Sequence, residues 1–467
     1  MTAPVPLYSG LAARFLMMHH TGVANLDRRQ LPNQLMPSRR AVASWVLYDL
    51  ANTIFSMGVV SLYFPMVVLD AVGAGRADRT LGLITALSMS VIFLVSPLLG
   101  AMTDRARRRM PFLVVSTLVC VGFTVVLARS GFWVTAVCFV IANMAYQAGL
   151  QFYDALLPEV STEKNRGKIG GIGVGFGYVG SFVAVGISWI VTDNLPLTFT
   201  LVGILFLLFA LPCFFFVRER GNPYPRPISV GMVRESTRET IRTLRSTQRY
   251  PGLLRFLVGR VFYTDAINTV IIVMALYTTN VAVATGLTEA QGKDQASIVM
   301  LAAISFAIVG GFVWGIMADR LGPRRTLNYV LCAWMVIFTG AALVGILALP
   351  MWTLYAVACS AGFALGGVWA ADRPYMLRLA PPDRIGEFYG LYGMVGRFSA
   401  ITGPLIWAAM GWVTIEQLGL RPAVGQGIAL FSLLLLVILS YVILQKVSDT
   451  PPSAPAEPDG QRQVVSP

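Results

Sequence analysis

Gly100-Ala-Met-Thr-Asp104-Arg105 and Gly315-Ile-Met-Ala-Asp319-Arg320 are the two stretches that decide the fold. Each closes a long apolar run with the same spacing of glycine, acid and arginine. One short match would be chance. Working outward, two further pairs keep nearly the same register. Asp49-Leu-Ala-Asn52-Thr53 pairs with Asp265-Ala-Ile-Asn268-Thr269, and Gly167-Lys-Ile-Gly-Gly171 pairs with Gly386-Glu-Phe-Tyr-Gly390. Three matches in order describe a duplicated six-helix unit, parallel in topology because six is even.

Composition names the solvent. Hydrophobic residues make up 56% of the 467 and charged residues 13%, with a mean hydropathy of +0.67. A soluble domain carries about 25% charged residues, so this chain cannot cover itself with polar surface in water. Its apolar runs are continuous rather than alternating, which selects helices over a barrel. The runs cover 42–69, 80–102, 111–129, 132–157, 168–192 and 198–217, then 252–281, 295–317, 326–348, 352–378, 387–413 and 426–446. Each approaches the roughly 20 residues that a spanning helix needs. The expected fold is an all-α membrane protein: twelve transmembrane helices as two pseudo-symmetric six-helix bundles. The expected parts are a cytosolic extension over 1–40, bundles over 41–217 and 252–447, a linker over 218–251 and a disordered tail over 448–467. Residues 1–40 lack the layout of a signal peptide.

The formal net charge of +13 is unevenly spread. Arg105, Arg107, Arg108 and Arg109 follow the second run, and Lys164, Arg166 and Lys168 follow the fourth. Arg320, Arg324 and Arg325 follow the eighth, and Arg378 and Arg384 the tenth. The opposite loops hold Arg76, Arg79, Arg129, Lys293 and Arg421. This alternation is the positive-inside pattern; it places both termini in the cytoplasm of a cell whose inner membrane the chain crosses. The excess charge is thus an orientation signal, and no nucleic-acid partner is expected. In the linker, Arg234, Arg238, Arg242, Arg245 and Arg249 form one stripe if helical. Such a stripe suits an amphipathic helix against a bilayer with anionic headgroups, or equally a solvated charged face.

Catalytic chemistry finds little to stand on. His19 and His20, both before the first run, are the only histidines, so a histidine triad, metal site or proton relay in the membrane core is excluded. Cys120, Cys138, Cys213, Cys332 and Cys359 lie in apolar runs without ligand spacing and read as small buried hydrophobes. No phosphate-binding loop or nucleophile–histidine pairing is present. An enzyme, a cofactor and a metal are not expected.

Ionisable groups within spanning helices cost several kcal/mol unless paired or wetted, which makes them functional candidates. They are Asp49, Asp154, Arg260, Asp265, Asp372, Arg373 and Arg397. Asp49 lies nine residues past Arg40, about 13 Å deeper, and Asp265 is similarly deep past Arg255. As repeat-related acids they are expected to face each other or a central cavity, with Asn52 and Asn268 one turn on. Asp49 and Asp265 lead the proton-coupling candidates, with Asp154 and Asp372 behind them; an ion pair or N-cap-like bond locking helices is the competing reading. Arg373 and Arg397 have the planar fork that binds a carboxylate or phosphate, although Arg373 equally suits neutralising Asp154 or Asp372. Arg260 is expected near the cytosolic surface, where it can snorkel. Tyr48, Tyr153, Tyr178, Tyr263 and Tyr392 are candidate cavity walls. The glycines of the fifth run, Gly170 to Gly180, permit close helix contact.

Gly100-x3-Asp104-Arg105-x-Arg107-Arg108 resembles the loop signature of the major facilitator superfamily, and Gly315-x3-Asp319-Arg320-x-Gly322-x-Arg324-Arg325 resembles its second copy. The resemblance implies a monomer whose two bundles rock about a midplane site. It also implies a cytosolic gate built from Gly100, Asp104, Arg105, Arg108, Gly315, Asp319, Arg320 and Arg324. An Asp at a helix end can latch onto an arginine or a neighbouring helix N-terminus.

Five further motifs are similar to the vacuole-effluxer-like family. They are Trp45-x-x-Tyr48-Asp49-x-Ala51-Asn52, Phe152-Tyr153-Asp154-Ala-Leu-Leu-Pro158-Glu159, Gly171-x-Gly173-x3-Gly177-Tyr178-x-Gly180, Arg260-x-x-Tyr263-x-Asp265 and Glu387-Phe-Tyr-Gly390-Leu-Tyr392-Gly393. The resemblance implies a secondary transporter exporting a small polar or zwitterionic solute, such as an amino acid or peptide, with proton coupling. Efflux of amphipathic drug-like or lipid-like compounds, and a non-transporting sensor or assembly role on the same fold, remain open alternatives.

Overall fold

The computed structural model describes residues 37–191, 194–222, 225, 252–381 and 384–447. The expectations for the N-terminal extension, the arginine stripe of the linker and the tail lie outside the described residues.

Within them the chain is helical throughout. The first six long helices are α1 (Arg39–Val72), α2 (Ala74–Arg105), α3 (Met110–Val126), α4 (Phe132–Asp154), α5 (Arg166–Ile190) and α6 (Leu195–Phe216). The second six are α7 (Leu253–Ala284), α8 (Glu289–Leu321), α9 (Pro323–Ile346), α10 (Met351–Leu379), α11 (Ile385–Gln417) and α12 (Pro422–Gln445). Eleven of these are long and apolar enough to cross a bilayer. The twelfth, α3, has 17 residues, about 25 Å of helix, at the lower end of the length that spans a bilayer.

Local chemistry sets the ends. Ser38 caps α1 by accepting from the Ala41 N–H at 3.1 Å. Thr288 and Gln291 form a capping box at the start of α8. Gly322, at φ +88°, makes the turn that Pro323 then converts into α9. Most ends fall a few residues from the hydropathy edges; α4 stops at Asp154 rather than running to 157, ahead of Pro158. Within α1, residues Ser56–Tyr63 widen into a π-helical segment, a feature that often marks functional positions.

The duplication reappears in packing. In the first half, α1 packs on α5 and α6, and α3 on α4 and α6; in the second, α7 packs on α11 and α12, and α9 on α10 and α12. Each partner is displaced by six helices. The halves meet through α2 with α11 and α5 with α8, which the same displacement interconverts.

Large apolar side chains cover the outside, including Leu94, Phe215 and Val336, each more than 70% exposed. Such a surface would aggregate in water and suits hydrocarbon. Cys332 belongs to this exposed surface, not to the core as expected. Trp133, Trp189, Trp352 and Trp412 are all exposed at helix ends opposite the basic loops, where an interfacial tryptophan belt belongs.

Candidate functional site

The last turn of α2 carries Asp104. Its Oδ1 accepts from the Gly386 N–H at 2.7 Å and its Oδ2 from the Glu387 N–H at 2.8 Å, at the first turn of α11. Asp319 ends α8 in the same way: Oδ1 accepts from Gly167 N–H at 2.6 Å and Oδ2 from Lys168 N–H at 2.8 Å, at the first turn of α5. Each carboxylate satisfies two orphan donors of the opposite half and sits at the positive end of its helix dipole. Arg109 Nη2 supports the first latch at 2.9 Å from Asp104 Oδ1. Arg324 instead donates to the Gln445 carbonyl at 2.7 Å, Arg105 is half-buried, and Arg108 and Arg320 are exposed. Both latches are thus made by backbone amides, and Arg109 adds a side-chain bond to the first.

Glycines let the latches close. A Cβ at Gly100 would collide with the Gly386 carbonyl, and one at Gly171 with the Gly311 carbonyl. Gly315 faces Gly167 and Gly171 with the same intimacy. These contacts lie on the basic-loop half of the interface.

Farther in, the halves enclose a cavity of about 370 Å³, large enough for a small solute. Arg373 of α10 reaches across it: Nη1 lies 3.3 Å from Asp49 Oδ2 on α1, and Nε lies 3.2 Å from Asp154 Oδ1 on α4. Arg260 of α7 pairs with Asp372 at 3.2 Å, and its guanidinium lies 3.6 Å from the centre of the Tyr392 ring. Tyr392 donates from its hydroxyl to the same Asp372 oxygen at 3.1 Å. Arg397 of α11 donates to Ser96 Oγ at 2.6 Å and to the Gln147 carbonyl at 2.8 Å. All three arginines are buried. Three acids and three arginines therefore balance in number but not in place. Arg373 serves two carboxylates, Arg260 one, and Arg397 none within bonding distance among the described residues.

Several sequence candidates line this cavity: Asp49, Asn52, Asp154, Asn268, Arg373 and Arg397, with Tyr178 and Tyr392. Others do not. Asp265 does not face it; both of its oxygens accept from the Thr402 hydroxyl, at 2.7 and 2.8 Å, and Oδ1 also accepts from Gly403 N–H at 3.0 Å. The cause is the facing helix. Asp49 meets Gly173 and Gly177 of α5, which offer no side chain, whereas Asp265 meets a threonine. Tyr48 and Tyr153 pack behind the wall, stacked 5.0 Å apart, with Tyr48 bonded to Thr117 and Tyr153 donating to the Trp45 carbonyl. Tyr263 is fully buried, and Asp372 stands behind Arg260. Arg260 does not snorkel; it lines the cavity at 3% exposure. Gln147 and Gln151 were missed, although with Asp154 they form a polar stripe of helical period on apolar α4.

Two latched, six-helix repeats around a charged cavity have the architecture of the major facilitator transporters. The fold matches the human organic anion transporter MFSD10 with a TM-score of 0.70 at 15% identity, over 88% of this chain and all of that one. A Bacillus subtilis (strain 168) protein named as an uncharacterized MFS-type transporter, YxiO, is 26% identical over 427 residues, 87% of this chain and 94% of that protein. The particular family follows from residues 68–448, which match the model described as vacuole effluxer Atg22 like; the chain belongs to that family. A fungal relative, autophagy-related protein 22-2 of Aspergillus clavatus, is 24% identical over 285 residues, 55% of this chain and 44% of the longer fungal protein.

Proposed function

We propose that this chain is a secondary active transporter that exports a small zwitterionic solute, such as an amino acid or short peptide, by proton-coupled alternating access. The observation that carries this reading is the uneven placement of charge in the cavity. Asp49 and Asp154 share one arginine and leave an anionic excess, while Arg397 has no carboxylate partner among the described residues. A solute bearing an ammonium and a carboxylate complements both. An amphipathic, largely apolar solute would leave these charges unmatched.

With both latches closed on the basic-loop face, and that face cytoplasmic by the positive-inside pattern, the conformation is outward-facing. Inward opening must break the Asp104 and Asp319 latches and also separate Arg373 from Asp49 and Asp154, because that bridge joins the two halves. A proton on Asp49 weakens the bridge, which ties protonation to the conformational change. The transporter works as a monomer in the cytoplasmic membrane with both termini inside. It needs no cofactor and catalyses no covalent chemistry.

The test is uptake of each of the twenty standard amino acids and of Ala-Ala into proteoliposomes, with and without an imposed pH gradient. Gradient-dependent accumulation above empty vesicles is expected for at least one. Uptake of none, beside demonstrable transport of an apolar cation, would contradict the reading.

A further inference from the structure

The cavity holds two buried polar side chains that are unfinished. Arg397 is 5% exposed, and Ser96 Oγ and the Gln147 carbonyl hold its two Nη atoms, yet its Nε finds no acceptor among the described residues. Asn52 on α1 is 3% exposed, and neither its amide nitrogen nor its amide oxygen has a partner among the described residues. Both line the same cavity. A buried polar group left unpaired costs about 1–3 kcal/mol, and more when charged. A cation buried beside no anion is costlier still. Such groups call for an explanation, and in a solute-sized cavity a bound solute would complete them.

We infer that Arg397 is the carboxylate anchor of the transported solute, an assignment that rests on the zwitterion reading above. One bond to each Nη fixes the plane of the guanidinium. The Nε edge is then presented as half of a ready-made fork, which a carboxylate fills in bidentate fashion. Asn52 supplies one donor and one acceptor to the body of the solute. Asp49 and Asp154 receive its ammonium, in competition with Arg373.

Helix α4 measures the distance between the two ends. Arg397 grips Gln147, and Asp154 lies seven residues farther on, about 10 Å along the helix. Two charge-assisted hydrogen bonds of about 2.8 Å each occupy roughly half of that. The site is thus on the scale of a single amino acid or dipeptide.

The experiment is thermal unfolding of the purified full chain with each standard amino acid and Ala-Ala, then with the carboxamide of the best stabiliser. Binding to the native state raises the melting temperature by mass action. The wild type is expected to bind the acid at least tenfold more tightly than the amide. Arg397→Gln should lose that preference by weakening the acid alone. Arg397→Lys, which keeps charge but not the fork, should fall between. Ser96→Ala keeps the cation but frees one of the two Nη atoms that fix its plane, so the preference should weaken no further than in Arg397→Lys; a loss of acid and amide binding alike would make the effect structural and overturn the anchor. If Arg397→Gln does not fold, the lysine and Ser96 variants carry the comparison. A wild type that binds acid and amide equally, or an Arg397→Gln that keeps the full preference, would overturn the anchor and leave the zwitterion reading standing. Stabilisation by none of the probes would remove both.

Discussion

Arg373 Nη1 sits 3.3 Å from Asp49 Oδ2, a contact between residues 324 apart in sequence that joins the two halves inside the cavity. Because the same guanidinium also holds Asp154, its removal leaves two buried carboxylates without their shared cation. Removing one partner of a buried ion pair costs about 3–5 kcal/mol. Arg373→Gln is expected to lower the melting temperature of the detergent-purified protein by several degrees. Adding Asp154→Asn should recover most of the loss by removing one of the stranded charges. An unchanged melt in the single variant would show that the bridge carries no load.

The latches predict a symmetric effect. Asp104→Asn and Asp319→Asn each replace a carboxylate that accepts two backbone N–H bonds by an amide that can accept only through its oxygen. Charge-assisted bonds contribute about 1.5–3 kcal/mol each. Spin labels at Lys164→Cys and Arg325→Cys, both exposed on the basic-loop face, should report a longer mean separation in either Asn variant. They should report the longest in the double variant. Equal distance distributions in wild type and double variant would contradict the latch.

Glycine at the interface yields a third expectation. Gly171→Ala places a methyl group against the Gly311 carbonyl, and overpacking of this kind costs about 1–3 kcal/mol. The penalty falls only on the closed basic-loop face. The variant should therefore shift the same label pair toward separation while the helical content stays unchanged by circular dichroism.

Much of this architecture was legible in the sequence because its signals are local. Apolar runs mark the helices, and the Asp104 and Asp319 motifs mark both latches. Asp49, Asp154, Arg373 and Arg397 stood out as charges in apolar surroundings. What periodicity did not reveal is who satisfies each charge. Asp265 matches Asp49 in the repeat, but its fate depends on Thr402, on a helix well over a hundred residues away. Arg260 read as a snorkelling residue because its partner Asp372 lies on another helix. The latch donors were equally hidden, since backbone N–H groups carry no residue identity. The π segment at Ser56–Tyr63 left no trace in composition.

Outside the membrane, Glu219 gives a pH expectation. Its carboxylate accepts from Arg109 N–H at 2.8 and 2.6 Å and from Met110 N–H at 3.0 Å, capping α3. Burial nevertheless pushes its pKa above the usual glutamate range, against the pull of these amides and of Arg109. A carboxyl with a raised folded pKa binds its proton more tightly when folded. Its contribution to stability is therefore greatest below about 4.3, the unfolded value, and falls as pH rises through the folded value. The melting-temperature difference between wild type and Glu219→Gln should move against the wild type as pH rises from 4 to 7. Movement in the opposite sense would contradict the assignment.

The central claim is that Asp49, and not its repeat partner Asp265, ties proton movement to the opening of the cavity. The measurement is amino-acid flux driven by a pH gradient in proteoliposomes, comparing Asp49→Asn with Asp265→Asn at matched reconstitution. Asp49→Asn is expected to abolish gradient-driven accumulation while solute exchange at equal pH persists at weakened affinity, because Asp154 still receives the ammonium. Asp265→Asn, whose side chain bonds Thr402 and Gly403 away from the cavity, should keep at least half of the wild-type coupling. Loss of coupling in Asp265→Asn with normal coupling in Asp49→Asn would contradict the account.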